Sequence, residues 1–420
     1  MRSSVGLVTA LVVVMAMVTG GCGDHAGNGV SDPVVDLSQL DVGPYDPEPH
    51  PLPAPKNAAE AALYEGIRLG NVLPLASDID PKFKYSGIQS GLVLGAGPDV
   101  KNDFVGALWA DDQFSEDAPG YIGGYTTYGT DSPHTLGNQL VNAVMIFGNE
   151  QQATTAAAAF SARAFSDSHA GIYGTPTDAY GNQLPDTANE ELPIAKYPGA
   201  HAHWKSGWQQ VHSWYPTGKF VVYTGYRGQA DLKLGHANRT VLTQFVSDSL
   251  DHVVPALQKF TPTPPDQLMS VPVDPEKMLE RMMRPPRGDS DDAKLQPVVY
   301  NAHTQLNFES DQEVARARFD RDGIDLIADY MTVLYRTRDS AAALEVRDEL
   351  GGPHRHNRAA APPKGLPPAL CREDLTAGRM ANRFYCAVKY GRYATMSWSN
   401  QLTDAQQRIS AQYEILVKTK

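Results

Sequence analysis

Two stretches of the chain show the same succession of apolar and polar positions. The apolar run at residues 140–147 is followed by a short polar turn and an alanine-rich stretch that ends at Phe165. The run at 328–335 is followed in the same way by a polar turn and by residues 340–350. A short apolar run between turn residues is typical of a strand, and the longer stretch after it has helical spacing. Each stretch therefore predicts a strand, a turn and a helix.

The similarity continues downstream in both halves of the chain. Residues 208–215 and 220–224 indicate a hairpin that precedes a helix over 238–260, and 384–390 and 393–398 indicate a second hairpin before a helix over 403–417. We therefore predict an α+β protein of two modules, each a small antiparallel sheet with helices packed on one face. A diverged internal duplication would explain the repetition, and chance similarity between short strand–helix units is the alternative.

Proline, glycine and aspartate mark the boundaries between the predicted segments. Residues 22–56 are rich in these types, which predicts a flexible tether that keeps the folded part away from its attachment point. The N-terminal α+β module then spans 57–262, and the C-terminal module spans 293–420. The linker between them, 263–292, contains a short helical stretch at 275–283, so we expect it to be partly packed.

The first residues have the pattern of an export signal. One basic residue, Arg2, precedes an apolar run over 5–18, and small residues lead directly to Cys22. The run is shorter than the roughly 20 apolar residues that a bilayer-spanning helix needs. Small residues before a cysteine resemble the lipobox of bacterial lipoproteins, in which that cysteine is acylated, although Thr19 stands where the pattern usually has Leu or Val. We predict a signal peptide over 1–21 and lipidation of Cys22.

The two remaining cysteines, Cys371 and Cys386, are predicted to form a disulfide. An exported chain meets an oxidising compartment in which thiols tend to pair. A metal site is the alternative, and it is disfavoured because neither cysteine has a second one at two-residue spacing.

The composition favours folded modules and argues against nucleic acid as a partner. Hydrophobic residues make up 42% of the 420 residues, which is enough for ordinary buried cores. The formal net charge is −12 and the isoelectric point is near 5.4. Sequence-independent binding of phosphates needs positive charge that this chain lacks. Contact with a membrane is expected through the acylated N-terminus alone.

Histidines are the main candidates for catalysis or metal binding in this sequence. His201 and His203 alternate, and alternating side chains on a strand point the same way and can share a metal ion. They lie among Pro and Gly residues, and His354 and His356 lie in a Pro- and Gly-rich loop, so we interpret all four as solvent-exposed and metal-free. If a metal is bound, His201 and His203 are the candidates. No cofactor is predicted.

A serine hydrolase would place its nucleophile in a Gly-x-Ser-x-Gly turn, and this pattern does not occur. The nearest approach, at residues 87–91, has its serine one position too far along. Aromatic residues are dense in two regions and serve there as core and hairpin pairs or as the lining of a ligand pocket. We favour the core role for most of them. The regions contain Trp109, Tyr121, Tyr125, Tyr128, Trp204, Trp208, Trp214, Tyr215, Tyr223 and Tyr226.

Several local sequences together resemble an actinobacterial, especially mycobacterial, lipoprotein family of unknown function. They are the start before Cys22, the helix at 241–260 that runs into Thr-Pro-Thr-Pro, the block 333–339, the pair Cys371 and Cys386, and the short motifs at 390–393 and 411–413. The resemblance covers nearly the whole mature chain and implies a two-module envelope lipoprotein, with no catalytic residues to carry over. We expect a non-enzymatic protein that binds an envelope protein, a lipid or a glycan. The alternative is an anchored hydrolase that uses His201 or His203.

Overall fold

The computed structural model describes residues 31–52, 54–86, 93–94, 114–134, 137–166, 177–185, 187–234, 236–286, 296–378 and 382–419. Cys22, the predicted signal peptide, Trp109 and the serine-containing turn at 87–91 lie outside the residues that are fully described. Within the described ranges, no helix is both long and apolar enough to cross a bilayer.

The first half of the chain builds one antiparallel sheet and its helices. Its elements in chain order are α1 (Ala58–Gly70), α2 (Ala76–Ile79), β1 (Val93–Leu94), α3 (Phe114–Asp117), β2 (Tyr121–Thr130), β3 (Gln139–Phe147), α4 (Glu150–Ser166), β4 (Asn189–Glu191), β5 (His201–Lys205), β6 (Gln210–Thr217), β7 (Phe220–Arg227), α5 (Gln229–Leu234) and α6 (Arg239–Leu257).

The second half builds another antiparallel sheet. Its elements are β8 (Val298–Asn301), α7 (Ala302–Gln305), α8 (Gln312–Asp322), β9 (Leu326–Asp329), β10 (Val333–Arg336), α9 (Ser340–Gly351), β11 (Asn357–Ala360), β12 (Leu370–Asp374), β13 (Phe384–Tyr390), β14 (Tyr393–Ser399) and α10 (Leu402–Lys418).

The two sheets have the same strand order. The first is seven-stranded with the order β1-β2-β3-β7-β6-β5-β4, and the second, also seven-stranded, has the order β8-β9-β10-β14-β13-β12-β11 when read from its first strand. A helix follows the third strand in each sheet, and another follows the last strand. The predicted α+β fold with two modules of related topology is thus confirmed, and the shared connectivity extends to every strand of both sheets.

Local sequence explains where several of these elements begin and turn. The Asn57 and Asp339 side chains accept hydrogen bonds from backbone N–H groups in the first turns of α1 and α9, which satisfies donors that a helix start leaves unpaired. The β6–β7 and β13–β14 hairpins both turn through a glycine at φ +53°, Gly218 and Gly391. Positive φ at the first turn residue suits a two-residue hairpin, and glycine adopts it without steric cost.

Two predicted elements have a different form in the structure. The run at 328–335 was expected to be one strand, but it forms the end of β9, a turn and the start of β10, which pair with each other. The turn was missed because its residues Tyr330 and Met331 are apolar and packed against the core, so they lack the usual turn signature. The helix expected at 275–283 is a pair of short 3-10 turns, Pro275–Lys277 and Leu279–Arg281.

Helices cover both faces of each sheet, which is more than the single covered face that we expected. In the first sheet, Phe160 of α4 packs near Trp214 on one face, and Phe245 of α6 packs near Val222 on the other. In the second sheet, α9 covers the face that carries Ala394, and α10 covers the face of Val388. The reason is visible in β3, whose residues after the first are all buried instead of alternating.

The two modules share one hydrophobic core. Tyr300 and Leu334 of the second sheet and Leu416 of α10 belong to the same cluster of buried residues as Val144 and Val222 of the first sheet. The Tyr64 hydroxyl on α1 also donates a 3.0 Å hydrogen bond to the carbonyl of Pro297, just before β8. The two modules are therefore packed against each other through this shared core.

The N-terminal strap, which we define as residues 32–52, corrects the prediction of a flexible tether over 22–56. From Asp32 onward the chain lies on the second module, with Val35, Leu37 and Leu40 packed on the cluster that contains α10 and with Tyr45 only 5% exposed. The segment is not extended throughout, since it contains a 3-10 turn at Leu37–Gln39 and a second turn at Gly43 and Pro44. Its apolar side chains find a surface to cover, and this contact offsets the entropy of ordering the segment.

Candidate functional site

A cleft lies beside the N-terminal strap at the seam between the two modules. It has a volume of about 910 Å³ and is bordered by strap residues, by Glu60 of α1, by Arg284 and Pro286 of the linker, and by Tyr330 of the β9–β10 turn. Volumes in this range suit ligands larger than a single small ion or metabolite. The strap, the first module, the linker and the second module therefore all contribute to the cleft.

Arg284 ties the linker to the strap inside this cleft. Its guanidinium donates hydrogen bonds to the carbonyls of His50, at 2.9 Å, and Pro51, at 3.3 Å. The His50 imidazole lies 3.0 Å from a carboxylate oxygen of Asp46. Glu60 accepts a short hydrogen bond from the backbone N–H of Lys56. The walls thus carry groups of both charge signs, several of them already positioned by hydrogen bonds.

A second cleft of about 580 Å³ adjoins the first. Pro44 and Tyr330 border both clefts, so the two meet at the strap and the β9–β10 turn. The second cleft is otherwise formed by the end of β14 and the first turns of α10. Its lining includes Asn382, Trp398, Asn400, Gln401, Gln407 and Arg408.

Tyr45 holds the strap in place beside this shared border. Its hydroxyl donates a 2.5 Å hydrogen bond to a carboxylate oxygen of Asp404 and accepts one of 2.9 Å from Nε of Arg408. The Arg408 guanidinium also lies 5.4 Å from the centre of the Tyr45 ring. Burial and the hydrogen bond to Asp404 raise the pKa of Tyr45 to about 12. The hydroxyl therefore stays protonated at neutral pH and keeps its hydrogen bond to Asp404.

The predicted histidine candidates lie elsewhere, on the first sheet. His201 is exposed on β5, whereas His203, two residues along the same strand, is 3% exposed and stacks on the Trp214 ring with 5.5 Å between centroids. The expectation of a solvent-exposed His203 is therefore wrong. The cause is α4, which covers this face of the sheet and brings Phe165 against the His203 ring at 5.6 Å.

His203 pairs across the strands with His212. Burial, and to a lesser degree the neighbouring His212, lowers the pKa of His203 to about 3, and burial lowers the pKa of His212 to about 4. Both imidazoles are neutral at pH 7. His212 hydrogen-bonds through Nδ1 to the Tyr223 hydroxyl at 2.8 Å, so its ring is already held within the sheet.

The arrangement of the histidines and carboxylates does not favour metal binding in the described ranges. They contain no group of three or more His, Cys, Asp and Glu side chains arranged to hold a metal ion. His354 and His356 are exposed in the loop before β11, as the Pro- and Gly-rich sequence indicated. His203 and His212 therefore form a packed pair within the first sheet, whereas His354 and His356 lie in a solvated loop.

The disulfide prediction is confirmed. Cys371 and Cys386 are directly opposite each other on β12 and β13 and are joined by an S–S bond of 2.03 Å. Both are buried beneath α10. The bond lies in the core of the second module and borders neither cleft.

Sequence reasoning missed the clefts because it treated the strap as solvent-exposed spacer. A signal was present: Val35, Leu37, Leu40, Val42 and Tyr45 give the Pro-rich segment more apolar side chains than a spacer needs. The aromatic residues Trp204, Trp214, Tyr223 and Tyr226 were interpreted as core, and they are buried.

Comparisons with known proteins concern both modules. A domain of unknown function, DUF7373 N-terminal, matches residues 52–273, and its partner, DUF7373 C-terminal, matches residues 278–419. No curated protein matches the chain. Among solved structures, the extracellular domain of PknH from Mycobacterium tuberculosis is similar at 11% identity with a TM-score of 0.25, over 44% of this chain and 96% of that one. The chain belongs to the two-domain DUF7373 family of unknown function.

Proposed function

We propose that this protein is a lipid-anchored, non-enzymatic cell-envelope protein of the actinobacterial type that binds a polar ligand in the two clefts beside the strap. The observation that carries the proposal is the larger cleft itself. It has a volume of about 910 Å³ and lies where both modules and the strap meet. Its walls include His50, Lys56, Glu60 and Arg284. Sites at the junction of structural units with a few placed polar groups are typical of ligand binding.

The position of Asp32 in the strap supports a folded body that lies close to the membrane. If Cys22 is acylated, it lies ten positions before Asp32, the first residue of the described chain whose side chain bonds to the second module. Ten residues span at most about 36 Å when fully extended. The folded body would then sit near the bilayer surface, and a ligand would have to be available there. The acyl chains would hold the protein on the membrane without crossing it.

The arrangement of the histidines favours binding over hydrolysis. His201 and His203 border neither cleft, and the neutral His203 ring is stacked within the first sheet. A general base must reach the proton that it removes, directly or through one water molecule. The described walls of the clefts contain no nucleophile paired with a histidine base, so the hydrolase alternative lacks a supporting observation in this part of the chain.

The anchor is tested by Cys22→Ala in an actinobacterial host. The protein should leave the membrane fraction or retain its signal peptide, and mass spectrometry of the wild-type N-terminal peptide should show the mass of the acyl groups. Unchanged membrane attachment and normal processing of the variant would refute lipidation at Cys22.

Ligand binding is tested by native mass spectrometry of the mature protein extracted from membranes. Ala54 is exposed at the rim of the larger cleft, so Ala54→Trp fills the cleft without removing a contact. Ala237→Trp, at an exposed position before α6, is the matched control. A non-covalent mass that is retained by the wild type and the control but lost from Ala54→Trp supports the proposal. A wild-type protein that carries only its acyl groups contradicts it.

A further inference from the structure

The two clefts form one elongated path, and this inference builds on the proposed ligand-binding function. Pro44 and Tyr330 border both clefts, so a ligand long enough to occupy both would pass these two residues. The volumes of about 910 and 580 Å³ lie on either side of this point. A compact ligand would fill only one side. An extended chain of several similar units matches the shape of the whole path.

The smaller cleft is lined mainly by uncharged polar side chains. Asn382, Asn400, Gln401 and Gln407 each carry a carboxamide, and Ser399 and Thr403 add hydroxyl groups. A carboxamide both donates and accepts hydrogen bonds, as does a hydroxyl. Ligand hydroxyl groups have the same dual character, so this lining suits a polyhydroxylated molecule along its length.

The larger cleft carries charges that balance each other. The walls of the larger cleft include Arg284 and Lys56 together with Asp46 and Glu60. A polyanion would gain from the first pair and be repelled by the second, and a polycation would meet the opposite conflict. A neutral ligand with many hydroxyl groups can instead accept hydrogen bonds from the cations and donate to the carboxylates. Charge-assisted hydrogen bonds of this kind are stronger than neutral ones.

Flat apolar surfaces complete the lining. Pro285 and Pro286 border the larger cleft, Trp398 borders the smaller one, and Pro44 and Tyr330 border both. Rigid rings present wide contact surfaces at low cost in conformational entropy. Sugar rings have apolar C–H faces as well as hydroxyl edges, so they match both features of this lining. An acyl chain would displace water from these charged and amide groups without offering them a hydrogen bond, which is costly.

We propose that the paired clefts bind a neutral oligosaccharide that runs from the Arg284 side, past Pro44 and Tyr330, to the amide-lined side at Asn400. Pro44 and Tyr330 contact the chain at its middle, while the charged and amide groups contact its hydroxyls on each side. The chemistry of the walls therefore favours a neutral oligosaccharide over a lipid or a charged polymer.

The test is isothermal titration calorimetry of the detergent-extracted mature protein with neutral oligosaccharides of two to six units, built from glucose, mannose, galactose or N-acetylglucosamine. At least one series should bind with affinity that rises with length. Ala54→Trp and Asn400→Trp, at exposed positions on opposite sides of the path, should each weaken the longest member at least tenfold, and Ala237→Trp should leave it unchanged.

Two outcomes overturn the assignment: absence of binding by every series, or binding that neither blocking variant weakens. Failure of the ligand class is distinguishable from failure of the proposed function. If native mass spectrometry shows a retained mass that Ala54→Trp abolishes while no oligosaccharide binds, the clefts bind a ligand of another class. If no mass is retained and no oligosaccharide binds, both proposals fall.

Discussion

Asp32 and Lys389 are 357 positions apart in the chain, yet the Asp32 carboxylate accepts a 2.7 Å hydrogen bond from the Lys389 ammonium group. The lysine side chain is only 4% exposed, on the strand just before the β13–β14 turn. The second carboxylate oxygen of Asp32 accepts a 2.7 Å hydrogen bond from the backbone N–H of Gly391 in that turn. One side chain therefore fastens the start of the strap to a buried charge and to a hairpin.

We predict that Asp32→Ala destabilises the protein by about 2 kcal/mol, since it leaves a buried ammonium group without its carboxylate. Urea unfolding of the mature protein measures the change. Asp36→Ala is the control, because Asp36 is in the same segment and its side chain bonds only to nearby Ser38 in this region. Equal unfolding free energies for the two variants would show that the Asp32 contact does not hold the strap.

Loss of the Cys371–Cys386 disulfide should lower the free energy of unfolding by about 3 kcal/mol, because it releases a cross-link that closes a loop of 15 residues in the unfolded chain. Cys371→Ala/Cys386→Ala should behave like wild type in reducing agent. Denaturant unfolding with and without reductant makes the comparison. A wild-type midpoint that does not respond to the reductant would contradict the prediction.

The buried His203 makes stability depend on pH. Its pKa in the folded protein is lowered from 6.5 to about 3, so between these values the unfolded chain binds a proton that the folded chain does not. Stability is therefore fully present above pH 6.5 and falls as the pH drops below it, by up to about 1.4 kcal/mol per pH unit for this group.

His203→Phe should remove this part of the acid sensitivity while keeping an aromatic ring against Trp214. Melting temperatures between pH 7 and pH 4 test it, with His201→Phe, an exposed position on the same strand, as the control. If the variant and wild type lose stability with the same slope, His203 is not the group responsible.

Glu65 joins α1 to the start of the linker. Its carboxylate is fully buried and accepts hydrogen bonds from the backbone N–H of Thr263, at 2.7 Å, and from the Thr263 hydroxyl, at 2.9 Å, as well as from Arg68. Glu65→Gln presents an amide N–H to one of these donors, so we expect the free energy of unfolding to fall by about 1–3 kcal/mol.

Glu150→Gln, at an exposed position in α4, should cost little and is the control for Glu65→Gln. Urea unfolding gives the energies. Trypsin cleavage after Lys259 should also become faster in Glu65→Gln, because the linker start loses its attachment. Unchanged cleavage and stability would show that Glu65 does not dock the linker.

Elements with strong local signals were predictable. The hairpins around Gly218 and Gly391, the helices that follow them, and the disulfide all depend on short-range features: turn glycines, regular apolar spacing and the export context of two cysteines. The β9–β10 turn was missed, because its residues are apolar and packed and so lack the usual turn signature.

The candidate site was not predictable, because its parts are brought together only in space. Pro44 of the strap, Tyr330 of a β-turn and Asn400 beside α10 have no relationship along the chain that would place them around one path. The burial of His203 likewise follows from α4 packing over β5, which the polar sequence around His201 did not indicate.

By itself, the sequence predicted the α+β class, a strand–turn–helix and a hairpin–helix in each half, and the disulfide. The helices and hairpins depend on periodicity and turn chemistry between residues close in the chain, and the disulfide depends on the export of two cysteines. Only the tertiary structure decided that the strap is packed, that helices cover both faces of each sheet, and that two clefts meet at Pro44 and Tyr330. Those outcomes depend on which apolar surfaces and charges find complementary partners hundreds of residues away, as Asp32 finds Lys389.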